Sequence, residues 1–147
     1  MNSDKIEKLG FLLGNWNLEY RIPKSKFSEA RSDSGTGSFR NALNRRYVFF
    51  DYSTKSGGEA HGIFTWDDKI KFYRFWWFEN SGSFMTATCD FINNETLYMN
   101  WHDTLLVQTF IKEGKDKVIL NMLSPVEKGE YESVMEVVFT RVRKSGV

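Results

Sequence analysis

Cysteine, proline and histidine are scarce here, with one, two and two copies in 147 residues. A lone cysteine closes no intramolecular disulfide and builds no thiolate metal site by itself. Cys89 sits between Thr88 and Asp90, with no neighbouring His or Lys to lower its pKa, so a reactive thiol is not expected. Charge of one sign is missing too. The 20 Lys plus Arg stand against 19 Asp plus Glu, for a formal net charge of +1, which offers no broad attraction to nucleic acid or an anionic membrane surface. The longest basic cluster, Arg141-Val142-Arg143-Lys144, reads as a solvated tail. No apolar run reaches the roughly 18 residues of a membrane helix. The opening residues Met1 to Lys8 lack the apolar stretch of a secretory signal, so the expectation is a cytoplasmic protein without membrane insertion; an outer-membrane barrel would need export. Glycine-rich phosphate loops, Gly-x-Ser-x-Gly elbows, His-Glu-x-x-His and Cys-x-x-Cys are also absent. Neither a cofactor nor a resident metal is expected.

What the chain has in quantity is aromatic rings: 13 Phe, 6 Tyr and 5 Trp. Rings favour pleated strands and are costly to leave in water, so they must line a core, a cavity or an interface. At this length the chain is one domain, 1–147, large enough for a real core.

The spacing predicts one short helix, capped by Ser3, striped by Ile6, Leu9, Leu12 and Leu13 and stopped at Gly14. After it the period drops to two. Trp16, Leu18, Tyr20 and Ile22 share one face of a first strand, and Asn17, Glu19 and Arg21 the other. The polar segment from Pro23 to Ser34 reads as a loop. Further strands are expected near 35–43, 46–55, 59–66, 70–79, 83–92, 95–102, 105–112, 116–124 and 131–143, broken by turn chemistry such as Asn44-Arg45, Ser56-Gly57-Gly58, Asn80-Ser81-Gly82 and Glu113-Gly114-Lys115. All connections after the first are short, and parallel strands need crossovers of a dozen residues or more, so the sheet must be antiparallel. About ten such strands must close into a barrel or split into two layers. A barrel of this size is filled by side chains or holds one small ligand. The expected fold is all-β: a single antiparallel up-and-down barrel with a short N-terminal helix.

Helix, then Gly14-Asn15-Trp16, then Arg141 in the last strand resembles the calycin signature, in which a late-strand Arg packs across the first-strand Trp. An indole face offers a guanidinium both stacking and cation–π contact. The rhythm Arg46-Tyr47-Val48, Tyr52, Gly62, Trp66-Asp67, Lys71, Tyr73 and Trp77-Phe78-Glu79 is similar to a family of uncharacterised bacterial lipocalin-like proteins. Asn44-Arg45 stands where that family usually has a Gly pair. The fatty-acid-binding proteins and nitrobindin are more distant likenesses. Nitrobindin holds haem through a His near its C-terminus, whereas Tyr131 to Arg143 contains no His.

The resemblance implies fold more than activity, so the site must be read from residues. Residues 70–78 carry aromatics on both faces, and so do 47–52; one face is the barrel interior and the other needs cover from the helix, the 23–34 loop or a second subunit. A homodimer is expected on that ground. Arg74, flanked by rings, needs a partner if buried: the carboxylate of a fatty-acid-like ligand, or Glu79, Asp90 or Asp51. His102-Asp103 is an acid–base pairing only if a turn lets the two side chains meet, and His61, beside Gly62, lies where a ligand could approach. Trp16, Trp66, Trp76, Trp77 and Trp101 are a cage for an apolar guest or core packing. The expected function is non-enzymatic binding of a small apolar or amphiphilic molecule, contacted by Arg74, Trp76, Trp77, Tyr52, His61, Trp101 and His102. Alternatives are a lyase or isomerase acting on a small aromatic substrate, and a filled barrel serving as a dimerisation module.

Overall fold

A computed structural model describes residues 3–25 and 29–143. The chain forms one helix, α1 (Ser3–Glu7), which tightens into a 3-10 turn at Lys8–Leu12. Ten strands follow: β1 (Gly14–Ile22), β2 (Arg31–Ala42), β3 (Tyr47–Thr54), β4 (Glu59–Asp67), β5 (Phe72–Glu79), β6 (Phe84–Asn93), β7 (Thr96–Trp101), β8 (Val107–Lys112), β9 (Lys117–Pro125) and β10 (Tyr131–Arg141). Each pairs antiparallel with its neighbour in sequence, and β1 pairs with β10 to close the barrel. The all-β, up-and-down reading is therefore correct. Among the described residues no helix is long and apolar enough to cross a membrane.

Two boundaries depart from the sequence pattern for physical reasons. β2 begins at Arg31, inside the segment read as a loop, because Arg31, Ser32, Asp33 and Ser34 pair with Ile22, Arg21, Tyr20 and Glu19 of β1. A strand that projects past the core at the barrel rim is wetted on both faces, so it shows no apolar alternation. β5 starts two residues late because the chain turns at Asp67–Lys71, where Lys71 has φ +62°. The side chain of Ser3, the expected helix cap, lies outside the described residues, as does Lys144.

Alternation along each strand sorts the rings. Trp16, Leu18, Phe39, Val48, Phe50, Phe64, Trp66, Tyr73, Phe75, Leu97, Met99, Phe110, Val118 and Phe139 are buried in one continuous core. The helix plugs one end of the barrel: Leu9 and Leu12 are completely buried, the Tyr73 hydroxyl donates to the Lys5 carbonyl, and the Lys5 ammonium lies 4.7 Å from the centre of the Trp66 ring. Because α1 fills this end, it leaves the outer faces of β5 and β6 bare, and Phe78 and Phe84 stay 44% and 73% exposed.

The plugged end is locked by a cluster around Trp16. Its indole N–H donates to the Leu12 carbonyl at 2.7 Å, and the Arg141 guanidinium lies 4.2 Å over its ring. Arg141 also donates to the carbonyls of Leu13, Phe11 and Lys115 and pairs with Asp116 at 3.5 Å. Arg143 forms a second ion pair with the same carboxylate. Arg141 is thus a clamp, while Arg143 beside it stays mostly exposed, its side chain 75% accessible. Gly14 makes the clamp fit. Its φ of +122° suits glycine, and a Cβ there would stand 2.5 Å from Arg141 Nη1.

Candidate functional site

The opposite end of the barrel is hollow. A cavity of about 160 Å³ is lined by Tyr20, Phe50, Tyr52, Phe75, Trp77, Glu79, Trp101, Gln108, Phe110, Leu120, Met122, Met135, Val137 and Phe139. Every strand contribution follows from the pleat. In β5, Tyr73, Phe75, Trp77 and Glu79 share the inward face, running from the plug to the mouth. In β1, Trp16, Leu18 and Tyr20 do the same. The walls are mostly stacked or tilted rings: Phe50 with Trp77 at 5.9 Å, Tyr52 with Trp77 at 5.8 Å, Phe75 with Trp77 at 5.9 Å and Tyr20 with Tyr52 at 5.6 Å. Gly62 gives these rings their room; a Cβ at that position would stand 2.6 Å from the Phe75 ring.

Polar groups on this lining are few. Gln108 is 4% exposed, and its Oε1 accepts a hydrogen bond from the Trp101 indole N–H at 3.2 Å. Beyond that bond the carboxamide carries two N–H donors of its own. Glu79 stands at the exposed rim, where its carboxylate accepts from the Trp77 indole at 2.9 Å and from the Ser81 hydroxyl at 3.3 Å. Two phenols form a neck. Burial pushes Tyr20 far above the ordinary phenol value, and the adjacent Tyr52 and the charge of Asp33 add to it. Burial also raises Tyr52, with Glu79 and Asp33 contributing. Both phenols are therefore neutral donors at physiological pH. Beyond the neck lies a wider polar recess of about 410 Å³, which shares Tyr20, Tyr52 and Met135 with the cavity and adds Arg31, Ser32, Asp33, Thr54 and Ser56. Asp33 is held below the usual carboxylate range by hydrogen bonds from the Ser56 hydroxyl and the Ser34 amide.

The seven residues expected to meet a ligand divide by face. Tyr52, Trp77 and Trp101 line the cavity. Arg74 and Trp76 are on the outer face of β5, since Phe75 and Trp77 on either side point in. Arg74 Nε donates to Asp67 Oδ2 at 2.6 Å, a partner not among those anticipated, and that bond holds Asp67 below its usual range. No arginine from β5 thus waits in the lumen for a fatty-acid carboxylate. His61 is also outside, paired across strands with Asp51 at 2.6 Å and edge-on to Phe49 at 5.3 Å. His102 lies in the turn after β7, where its Nδ1 shares a hydrogen bond with Thr86 Oγ1 at 2.7 Å and not with Asp103. Sequence reading missed Tyr20, Glu79, Gln108, Met122 and Met135. The signal existed: Tyr20 shares the Trp16–Leu18 face, and Glu79 falls two residues after Trp77. Cys89 is buried in the core, and burial holds its thiol well above the usual range. Among the described residues no three His, Cys, Asp or Glu side chains are grouped to hold a metal ion.

No protein-family model matches the sequence, and neither does any curated protein. Solved structures do match. The barrel superposes on Rv2717c from M. tuberculosis with a TM-score of 0.65 at 12% identity, covering 94% of this chain and 97% of that one. A de novo designed fluorescence-activating β-barrel aligns with a TM-score of 0.42 at 13% identity, over 90% of this chain and 95% of the design. At such identity the first likeness speaks for the fold alone: a closed antiparallel β-barrel.

Proposed function

We propose that the protein binds a small molecule with a single-ring body in the hollow end of its barrel. One observation carries this reading: an aromatic-walled cavity of about 160 Å³ with a nearly fully buried glutamine in its wall. A comparable engineered cavity of about 150 Å³ takes benzene, whereas drug-sized ligands need about 300–1,000 Å³. The fatty-acid-like guest is replaced in this proposal by something closer to ten non-hydrogen atoms. Burying about 200 Å² of such a guest at about 25 cal/mol per Å² corresponds to a Kd on the order of 0.1–1 mM from contact alone. Gln108 and the neck phenols would orient a heteroatom.

The chemistry within reach of a guest supports binding over turnover. Both histidines are on the outside, the two phenols stay protonated, and Glu79 is the one carboxylate on the cavity lining. A lyase or isomerase would have to rely on that rim carboxylate. Titration with 2-phenylethanol, followed by isothermal calorimetry and by fluorescence of the cavity residues Trp77 and Trp101, tests the reading. Saturable sub-millimolar to millimolar binding that shifts the tryptophan emission supports it; no heat and no spectral change at 10 mM probe, roughly ten times the weakest affinity expected from burial, sinks it. The homodimer is a separate proposal, motivated by the bare ring pair Phe78–Phe84, which are register partners on the outer face. A monomer by light scattering at 1 mM chain, far above the typical affinities of stable dimers, rejects it.

A further inference from the structure

Charge is distributed one-sidedly around this cavity. Of its fourteen lining residues, Glu79 alone is charged, and it is a carboxylate. The recess outside the neck adds Asp33, kept ionised by Ser56 and Ser34, and one cation, Arg31. The same carboxylates bear on the neck phenols. Tyr52 is raised by Glu79 and Asp33, and Tyr20 by Asp33, while no cation among the described residues pulls either one down. Arg31 is exposed at the start of β2, at the outermost register of the rim. The ring faces of Tyr20, Tyr52 and Trp77 add negative quadrupole to the same place.

Resting on the binding function proposed above, we infer that the cavity selects small aromatic amines in their protonated form. The ring occupies the hollow and the ammonium stays at the Tyr20–Tyr52 neck, in the field of Glu79 and Asp33. An ammonium at the neck keeps part of its hydration, which avoids the heavy cost of burying a charge completely. Over the ring faces it gains cation–π attraction, which grows as water is excluded. A carboxylate on the same aromatic body meets the opposite: like-charge repulsion from Glu79 and no cation among the described lining residues to pair with. Gln108 deep in the wall offers its donors to a ring substituent that accepts, such as a hydroxyl oxygen, so a hydroxylated arylalkylamine satisfies both ends of the site.

Three probes with one body separate charge from shape: 2-phenylethylamine, 2-phenylethanol and 3-phenylpropanoate, titrated calorimetrically at pH 7 and low salt into the full chain. The expected order is amine, then alcohol, then carboxylate, with the amine at least tenfold tighter than the carboxylate. Glu79→Gln keeps an acceptor for the Trp77 indole and should shrink that ratio at least threefold; adding Asp33→Asn should bring it near one, with circular dichroism confirming the fold of each variant. Equal binding of all three, a preference for the carboxylate, or a ratio unmoved by both substitutions overturns the inference and leaves the binding function standing. Failure of every probe, the neutral alcohol included, removes the binding function itself.

Discussion

The two ends of this barrel are built from the same kinds of residue and do opposite things with them. At the plugged end, Trp16 is 1% exposed, its indole N–H is bonded to Leu12 and its face is covered by Arg141. At the hollow end, Trp77 is only partly buried, its N–H reaches the rim carboxylate of Glu79, and its ring lines the cavity. The difference is not hydrophobicity. It is whether the helix supplies side chains to fill the lumen: Leu9 and Leu12 close one end, and among the described residues no helix does so at the other. Filled space earns stability, and unfilled space is available to a guest.

Substitution should separate these roles. Trp16→Ala empties a packed site and strips Arg141 of its platform; chemical denaturation should show a loss of about 3–5 kcal/mol. Trp77→Ala should cost about half that or less, while reducing the ligand-induced change in fluorescence to the share that Trp101 carries. Equal destabilisation would erase the contrast. Gly62→Ala comes next. Its Cβ must displace the Phe75 ring, 2.6 Å away, and crowd Trp77 at 3.2 Å, so a loss of about 1–3 kcal/mol is expected, together with weaker probe binding because both rings line the cavity. Val137→Phe runs the other way. It converts hollow to filled, so thermal melting should change by no more than about 1 kcal/mol in equivalent stability, while 2-phenylethanol binding falls at least tenfold. A destabilised protein that still binds would mean the space is not where the guest goes.

The smallest expected effect is electrostatic and lies outside the lumen. Asp67, paired with Arg74, titrates below its ordinary range in the folded protein. Its contribution to stability is then complete above the unfolded aspartate value, about 3.9, and disappears as pH falls through the lower folded value. The melting-temperature difference between the wild type and Asp67→Asn should therefore be small at pH 7, as for exposed ion pairs generally, and vanish in strong acid. A difference that grows on acidification contradicts the assignment.

Strand number and order were legible because turn chemistry punctuates the chain at nearly even intervals, and short connections leave only antiparallel neighbours. The site was legible in part. In residues 72–78, rings occur at both parities, so the pattern alone cannot decide whether Phe75 and Trp77 or Arg74 and Trp76 face inward. Register with β4 decides it: Gly62 opposes Trp77, and only a residue without a side chain leaves the lumen room for that indole. Arg74 drew attention as an apparently buried charge, yet its partner Asp67 sits at the start of the same turn, seven residues earlier. Gln108, a polar residue that belongs to the hollow, carries no local signature. It acquires meaning only when the far walls come together.

The seam between β1 and β10 has a kinetic consequence. Nine of the ten strand pairings join neighbours in sequence, and the tenth sets Trp16 opposite Arg141. A meander of hairpins can assemble by local steps, but sealing the cylinder must wait for the two ends of the sheet to meet, and that step bears the loop-closure entropy. Until then both edges are naked templates for another chain. The Arg141 guanidinium, bonded to the backbone just before β1 and laid on its first tryptophan, acts at that junction as a latch against reopening.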